Sequence, residues 1–250
     1  MVRGFRQRLL DGDTLFGTLL NLPSPAIAEV LAQVGFDWLF IDTEHGALGT
    51  GAVASVLQAV DRDLACIVRV SELNGGAIKR TLDMGAAGII VPQVETAEHA
   101  TDVVRLARYA PEGERGMGLA RAHRYGFGFK DYLANANDEI VVVIQVEHAR
   151  AVENIEQIAG VQGIDAVFIG PYDLSASFGY PGQVDHPQVV EAIEHVTAAC
   201  AAAGRRLGYF GMDAAAVKPY VDRGYTLICA GIDCVFIGQG AKQLLGDLKT

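Results

Sequence analysis

Along the chain, short runs of β-branched and aromatic residues alternate with longer segments whose apolar positions recur every three or four residues. The short runs predict strands over residues 14–20, 38–42, 65–69, 88–91, 141–146, 166–169, 206–210 and 226–230. The segments between them predict helices. In "SPAIAEVLAQVG", Ser24 caps the start, Pro25 sits in the first turn and Gly35 closes the end. "TGAVASVLQAVDR", "NGGAIKRTLDMG", "TAEHATDVVRLARYA", "RAVENIEQIAG", "PQVVEAIEHVTAACAAAG" and "AAAVKPYVDRG" follow the same pattern, and "GQGAKQLLGDLKT" completes it. Residues 111–138 are irregular, and loops of that length in compact domains are functional or partly helical.

Strands that are apolar throughout and alternate with helices describe a parallel sheet covered on its outer face. Eight such units in 250 residues predict a closed (β/α)₈ TIM barrel, with residues 1–250 as one domain. A doubly wound open sheet would carry a glycine-rich turn after its first strand, where this chain has "NLPSP".

Composition narrows the class. Half of the residues are hydrophobic and a fifth are charged, enough for a large core. The net charge of −10 disfavours nucleic acid as a partner, because such binding rests on a basic footprint. The four cysteines (Cys66, Cys200, Cys229, Cys234) sit singly in apolar surroundings, without metal or redox spacing, and are expected to be buried, reduced thiols. The first residues lack signal-peptide character, and no run of about eighteen apolar residues predicts a membrane span. The expectation is a cytoplasmic protein with no membrane partner.

The candidate chemistry lies where the predicted strands stop. "WLFIDTEHG" runs from Trp38, Leu39, Phe40 and Ile41 straight into Asp42, Glu44 and His45. The third strand ends in Arg69; the fifth delivers Gln145 and Glu147; the sixth leads through a Gly-Pro turn to Asp173. Each has a structural explanation by itself. Asp173 can cap a helix, Glu147 can favour a helix start, Arg69 can reach out from a rim, and His45 can be a loop histidine. In a barrel, however, the loops after the strands converge over one mouth, so a shared cause accounts for all of them together.

Glu147 and Asp173 with water make an incomplete oxygen shell, which suits Mg²⁺ or Mn²⁺ better than the ligand sets zinc prefers. Arg69 offers a planar fork to a carboxylate or enolate, and His45 can move a proton near neutrality. The "IGPYD" turn offers N–H groups at Tyr172 and Asp173 to an anionic end. The set describes stabilisation of an enolate beside a carboxylate. His99 and His195 read as helix-surface residues, His186 as a turn residue, and His148 as pointing elsewhere. His123 and Arg124 in the long loop are candidates for the mouth.

The stretches "FIDTEHG", "IVRV", "GAAGIIVPQVETAEHA", "RYAPEGERGMG" and "VIQVEHARAVENIEQIAGVQGIDAVFIGPYDLSASFGYPGQVDHP" resemble the HpcH/HpaI aldolases, in order from about residue 14 to 240. The resemblance implies a divalent-metal-dependent (class II) pyruvate aldolase, similar to 4-hydroxy-2-oxoheptanedioate aldolase. Such enzymes cleave a 4-hydroxy-2-oxoacid reversibly to pyruvate and an aldehyde through a pyruvate enolate, using Mg²⁺, Mn²⁺ or Co²⁺. It further implies a homo-oligomer, a hexamer. Carried over, Glu147 and Asp173 match the metal ligands, Gln145 a substrate contact and Tyr172 a turn position that binds substrate through its backbone. His45 matches the general base and Arg69 the residue that stabilises the enolate. Asp83 matches a carboxylate that raises the basicity of that histidine, although it precedes the fourth strand and could reach a mouth only across a subunit interface. Asp42 is a second candidate partner for His45.

Two departures fall in the aldehyde half. Sugar-acid members carry "EHAPN" where this chain has "EHGALG", and a smaller residue where it has Tyr172. No lysine stands at a strand end, which argues against a Schiff-base aldolase. The alternatives are a CoA-thioester lyase of the malyl-CoA or citramalyl-CoA type on the same fold, and a barrel that binds a metabolite without turning it over.

Overall fold

A computed structural model describes residues 4–249. Its eight strands are β1 (Leu15–Leu20), β2 (Trp38–Asp42), β3 (Ala65–Arg69), β4 (Gly88–Val91), β5 (Val141–Val146), β6 (Ala166–Ile169), β7 (Arg206–Gly211) and β8 (Leu227–Ile232). Each pairs in parallel with its neighbour in chain order, and β1 pairs with β8, so the ring is closed. The strands are buried on both faces, as their unbroken apolar runs require.

Side chains alternate across each strand, and the two sets have different fates. Trp38, Phe40, Ile67, Val143 and Phe168 fill the barrel interior. Leu39, Ile41, Cys66 and Val68 pack outward beneath the helices, as do Val142 and Ile144. Trp38 anchors the interior, and its indole N–H lies 3.2 Å from both the Leu15 and the Ile228 carbonyl oxygens. Its ring presses so closely on β1 that a Cβ at Gly17 would lie 2.5 Å from it, so only glycine fits there. Phe40 and Phe168 meet edge to face above it, with centroids 5.7 Å apart.

The structure adds elements that periodicity did not predict. A helix at Phe5–Asp11 brings Phe5 and Leu9 to the barrel interior, but at seven residues it is too short for a helical repeat to stand out. The irregular 111–138 stretch contains a 3₁₀ turn (Arg121–Gly126) and a helix (Phe129–Glu139). The segment read as one helix over 150–160 is two, Ala149–Glu153 and Ile155–Gly160, broken at Asn154. The last helix runs Asp233–Leu248 and begins five residues before the "GQG" start expected from the sequence. There Asp233 is buried and accepts the N–H groups of Asn21, Leu22 and Cys234, tying the end of β8 to the loop after β1. From Phe236 onward this helix is exposed, including Ile237, Leu244, Leu245 and Leu248. Among the described residues no helix is long and apolar enough to cross a membrane.

A buried ion cluster lies away from the mouth, at the start of β6. Asp165 accepts from Arg6 at 2.8 Å, from Arg108 at 3.3 Å and from the Val142 N–H at 2.8 Å. Burial pulls the Arg108 pKa down and Asp165 opposes it. Removing the carboxylate leaves a buried guanidinium without its counter-charge. Asp165→Ala is expected to cost about 3–5 kcal/mol in urea unfolding; a loss under about 1 kcal/mol would show that the cluster contributes little beyond packing.

Candidate active site

The alternation that fills the barrel also builds its mouth. The inward column on β2 is Trp38, Phe40, Asp42; on β3 it is Ala65, Ile67, Arg69; on β5 it is Val141, Val143, Gln145, with Glu147 two residues further on. Each column is apolar below and polar at its last position. Register then sets Asp42 directly opposite Arg69.

Arg69 is the centre of the cluster, its side chain only 8% exposed. Its Nε lies 2.9 Å from Asp42 Oδ1 and Nη2 2.7 Å from Oδ2, a bidentate pair. Nη1 turns toward Glu44 Oε2 at 3.1 Å and Gln145 Oε1 at 3.5 Å. The guanidinium stands 5.2 Å from the centre of the Phe40 ring. Burial works against its charge, but Asp42 and Glu44 more than offset this and hold its pKa above the ordinary value. Burial likewise opposes the Asp42 carboxylate, yet Arg69 and the N–H groups of Glu44 and His45 hold its pKa below the usual range.

The remaining carboxylates have less help. Glu44 is raised by burial, with Arg69 and His45 only partly compensating. Glu147 accepts the Gln93 N–H at 2.7 Å on one oxygen and the Gln145 carboxamide N–H on the other. Burial, then the negative charges of Glu44 and Asp173, push its pKa up to about 7 against that N–H and Arg69. Gly170, after β6, lets these groups close up. A Cβ there would stand 2.6 Å from Gln145 Nε2 and 3.1 Å from Glu147 Oε2.

A cavity of about 200 Å³ opens above. Asn21, Asp42, His45, Arg69, Gln145 and Asp173 are its polar lining; Leu19, Phe40, Phe168, Tyr172, Phe210 and Ile232 are its apolar lining. Asp173 is exposed in the first turn of the helix Pro171–Ser177. His45 is 59% exposed, its Nε2 3.8 Å from Glu44 Oε2. Asp42 reaches His45 only through the His45 N–H, at 3.4 Å.

Other candidates lie elsewhere. Asp83 ends the helix Gly75–Asp83 and pairs with Arg115 at 2.7 Å, beside a separate cavity bordered by Lys79 and Arg121. His123 is fully buried away from the mouth, its Nε2 3.1 Å from the Tyr109 hydroxyl, and Arg124 lines another cavity of about 720 Å³. Neither candidate for the mouth is in it, because the long loop packs along the helices rather than over the strand ends. Cys66, Cys200 and Cys229 are buried as expected, but Cys234 is exposed, because the last helix leaves the barrel there. His148 and His186 cap helices through Nδ1, and His195 pairs with Glu156 on the surface.

Two contributors were passed over in the sequence. Glu44 stood in the strand-end run without a role, and its Oε2 is buried and not hydrogen-bonded. Gln93 adopts φ 53°, a left-handed conformation uncommon outside glycine, and so aims its N–H at Glu147. Nothing in "VPQVE" signals that turn.

The donor set fits a hard divalent cation. Among the described residues no three His, Cys, Asp or Glu side chains converge as a closed cage. Glu147 and Asp173 supply carboxylate oxygens of the kind Mg²⁺-type ions take, and burial with the charges of Glu44 and Asp173 disfavours an uncompensated Glu147 carboxylate.

The chain is a closed parallel (β/α)₈ barrel whose carboxylates, arginine and histidine gather at the carboxyl ends of its strands, the face on which barrels of this class carry their chemistry. Residues 15–237 match the HpcH/HpaI aldolase/citrate lyase family, and the chain belongs to it. It is 41% identical over 242 residues to a 4-hydroxy-2-oxovalerate aldolase of Novosphingobium aromaticivorans, covering 96% of this chain and 92% of that one. It is 38% identical over 248 residues to a hydroxypyruvate/pyruvate aldolase of Roseovarius nubinhibens, covering 98% and 96%. The crystal structure of an HpcH/HpaI aldolase/citrate lyase family protein from Burkholderia cenocepacia superposes with a TM-score of 0.94 at 38% identity, covering all of both chains.

Glu147 makes a pH-dependent contribution to the metal-free protein. Its folded pKa, about 7, lies above the ordinary glutamate value of 4.5, so folding favours the protonated form. That contribution is complete below the unfolded pKa and is lost as pH rises through about 7, a change of up to about 3 kcal/mol. In excess EDTA, stability is expected to fall from pH 5 to pH 8 more steeply for the native chain than for Glu147→Gln. Parallel urea midpoints across that range would contradict it.

Proposed function

We propose that this protein is a divalent-metal-dependent aldolase that cleaves a 4-hydroxy-2-oxoacid reversibly to pyruvate and an aldehyde. The observation that carries the reading is one cavity shared by Arg69, Gln145, His45 and Asp173, with Glu147 behind Gly170. The names of its relatives support the same reaction class.

Glu147 and Asp173 would hold the cation, which when bound supplies Lewis-acid polarisation of the oxoacid carbonyl. The residues of the chain do the rest. The N–H groups of Tyr172 and Asp173 orient the substrate carboxylate, and Gln145 fixes the oxoacid between Arg69 and Glu147. His45 takes the proton of the 4-hydroxyl, the C3–C4 bond breaks, and the aldehyde departs. Electrons from that bond move into the pyruvate enolate, whose oxygen faces the Arg69 guanidinium. Asp42 holds that guanidinium in place, so Arg69 needs no reorganisation as charge develops. A proton then returns to C3.

The working protein is a homo-oligomer, a hexamer in keeping with the resemblance. Two features of the chain support assembly. The helix Asp233–Leu248 presents Ile237, Leu244, Leu245 and Leu248 to solvent, and Asp83, which the family resemblance offers beside Asp42 as a partner of His45, is outside its own chain's mouth. A second copy could cover the first and bring the second to a neighbour. Four unpaired thiols support a reducing, cytoplasmic location.

Pyruvate release from a panel of 4-hydroxy-2-oxoacids is expected with Mg²⁺, Mn²⁺ or Co²⁺ and is abolished by EDTA; full turnover in EDTA would remove the metal from the reaction. Turnover of CoA thioesters but not of free oxoacids would instead assign the thioester lyase. Arg69→Lys keeps the charge but loses the planar fork, and should lower kcat about 10²–10³-fold while leaving Mn²⁺ affinity within threefold. Glu147→Ala should chiefly weaken Mn²⁺ binding. Equal effects of both substitutions on both quantities would refute this division of roles.

A further inference from the structure

Glu44 stands between the two groups on which the proposed cleavage turns. Its Oε2 lies 3.1 Å from Arg69 Nη1 and 3.8 Å from His45 Nε2. The side chain is only 12% exposed, and Oε2 is buried and accepts no hydrogen bond. A carboxylate oxygen in that state gains more from a new donor than one already paired or solvated. The imidazole is beyond hydrogen-bond distance but close enough for an ion pair once it carries a proton. The other charges around His45 are committed. Asp42 gives both oxygens to Arg69 and meets His45 only through the backbone N–H. Asp173 lines the same cavity as the proposed cation ligand, and Asn21 and Gln145 there are uncharged. A second copy placed with Asp83 at this mouth would add a carboxylate already paired with the buried Arg115 at 2.7 Å. Lys79, Arg80 and Arg121 border the same cavity as Asp83 and would come with it. Asp83 would thus arrive with its charge matched, and Glu44 would remain the carboxylate with an oxygen to spare for the ring.

We infer that Glu44 is the positioning residue of His45: it draws the Nε2 hydrogen toward itself, leaves Nδ1 to take the substrate proton, and pairs with the imidazolium that results. The inference rests on the aldolase reading and deepens it, because it names the carboxylate against which the base works and takes it from the base's own loop. In cleavage the 4-hydroxyl proton passes to Nδ1 of His45, and the C3–C4 electron pair passes into the enolate that faces Arg69. One positive and one negative charge appear together, so the step balances without a further reactant. Glu44 lies between the places where they form.

The test uses the full-length protein with Mg²⁺, labelled with ¹³C at histidine Cε1, and His45→Gln assigns the His45 signal. Glu44→Gln keeps the size of the side chain and removes its charge. The NMR titration midpoint of His45 is expected to fall by about 0.5 pH units or more in this variant, because the protonated ring loses its counter-charge. Asp83→Asn should move it less. With 4-hydroxy-2-oxopentanoate as the probe, Glu44→Gln should lower kcat for pyruvate release about tenfold and leave KM within about threefold. Unmoved signals from His99, His148, His186 and His195 report that the fold is retained. Should Glu44→Gln not fold, Glu44→Asp draws the charge back by one methylene and serves in its place, with both effects in the same direction. A midpoint or a kcat unmoved in the Glu44 variant, or a midpoint moved further by Asp83→Asn, overturns the inference. If the native chain releases pyruvate while the midpoint stays unmoved, the Glu44 assignment fails and the aldolase stands. If the native chain releases no pyruvate from any 4-hydroxy-2-oxoacid, the aldolase reading fails and takes the role of Glu44 in it as well.

Discussion

The buried pair between Asp42 and Arg69 is the interaction on which the mouth of this barrel depends. Both residues occupy the last inward position of neighbouring strands, in register, above an interior of Trp38, Phe40 and Phe168. A guanidinium placed there without Asp42 would be a desolvated charge resting on aromatic rings, and the cost would be several kcal/mol. Paired through two parallel hydrogen bonds, the same guanidinium becomes a rigid donor whose other nitrogen faces Glu44 and Gln145. Rigidity of that kind lets a positive group stabilise developing charge without first rearranging.

The charge balance follows from that pair. Asp42 pairs with Arg69 through both oxygens, so Glu44 and Glu147 are left as a surplus of negative charge in a poorly solvated place, with the exposed Asp173 adding to it. Burial raises Glu44 and carries Glu147 to about 7, which shows how little of that surplus the protein neutralises by itself. Gln93 reduces the strain on Glu147 by turning its N–H inward, at the expense of an unfavourable backbone conformation. A site arranged in this way keeps carboxylates that the chain's own cations only partly offset.

The outer surface is incomplete in a different sense. Arg115 is buried between Tyr109 and Tyr132, 4.5 Å and 5.6 Å from their ring centres, and its ion pair fixes Asp83 beside an open cavity separate from the mouth. Such a rigid setting is more than a solvent-facing aspartate needs. The final helix likewise keeps its apolar residues outside the barrel that gave rise to it.

Much of this was legible in the linear order of residues. Runs that are apolar throughout can only be strands covered on both sides, and eight of them at regular spacing close a ring. Asp42, Arg69, Gln145, Glu147 and Asp173 stood out as candidates because ionisable or polar groups follow several buried strands at once. Short or contact-dependent features were hidden: the Phe5–Asp11 helix is held by Phe5 and Leu9 entering the barrel, and the last helix starts early because Asp233 caps and ties it. Pairing was hidden as well. Sequence alone left Asp42 open as a partner of His45, whereas parallel register gives its carboxylate to Arg69. His123 and Arg124 looked available for the mouth until packing of the long loop carried them off. Periodicity and strand-end chemistry are local properties, so the sequence by itself determined which residues could act; register, burial and backbone turns such as Gln93 arise only when distant segments meet, so tertiary structure decided which of them face one another.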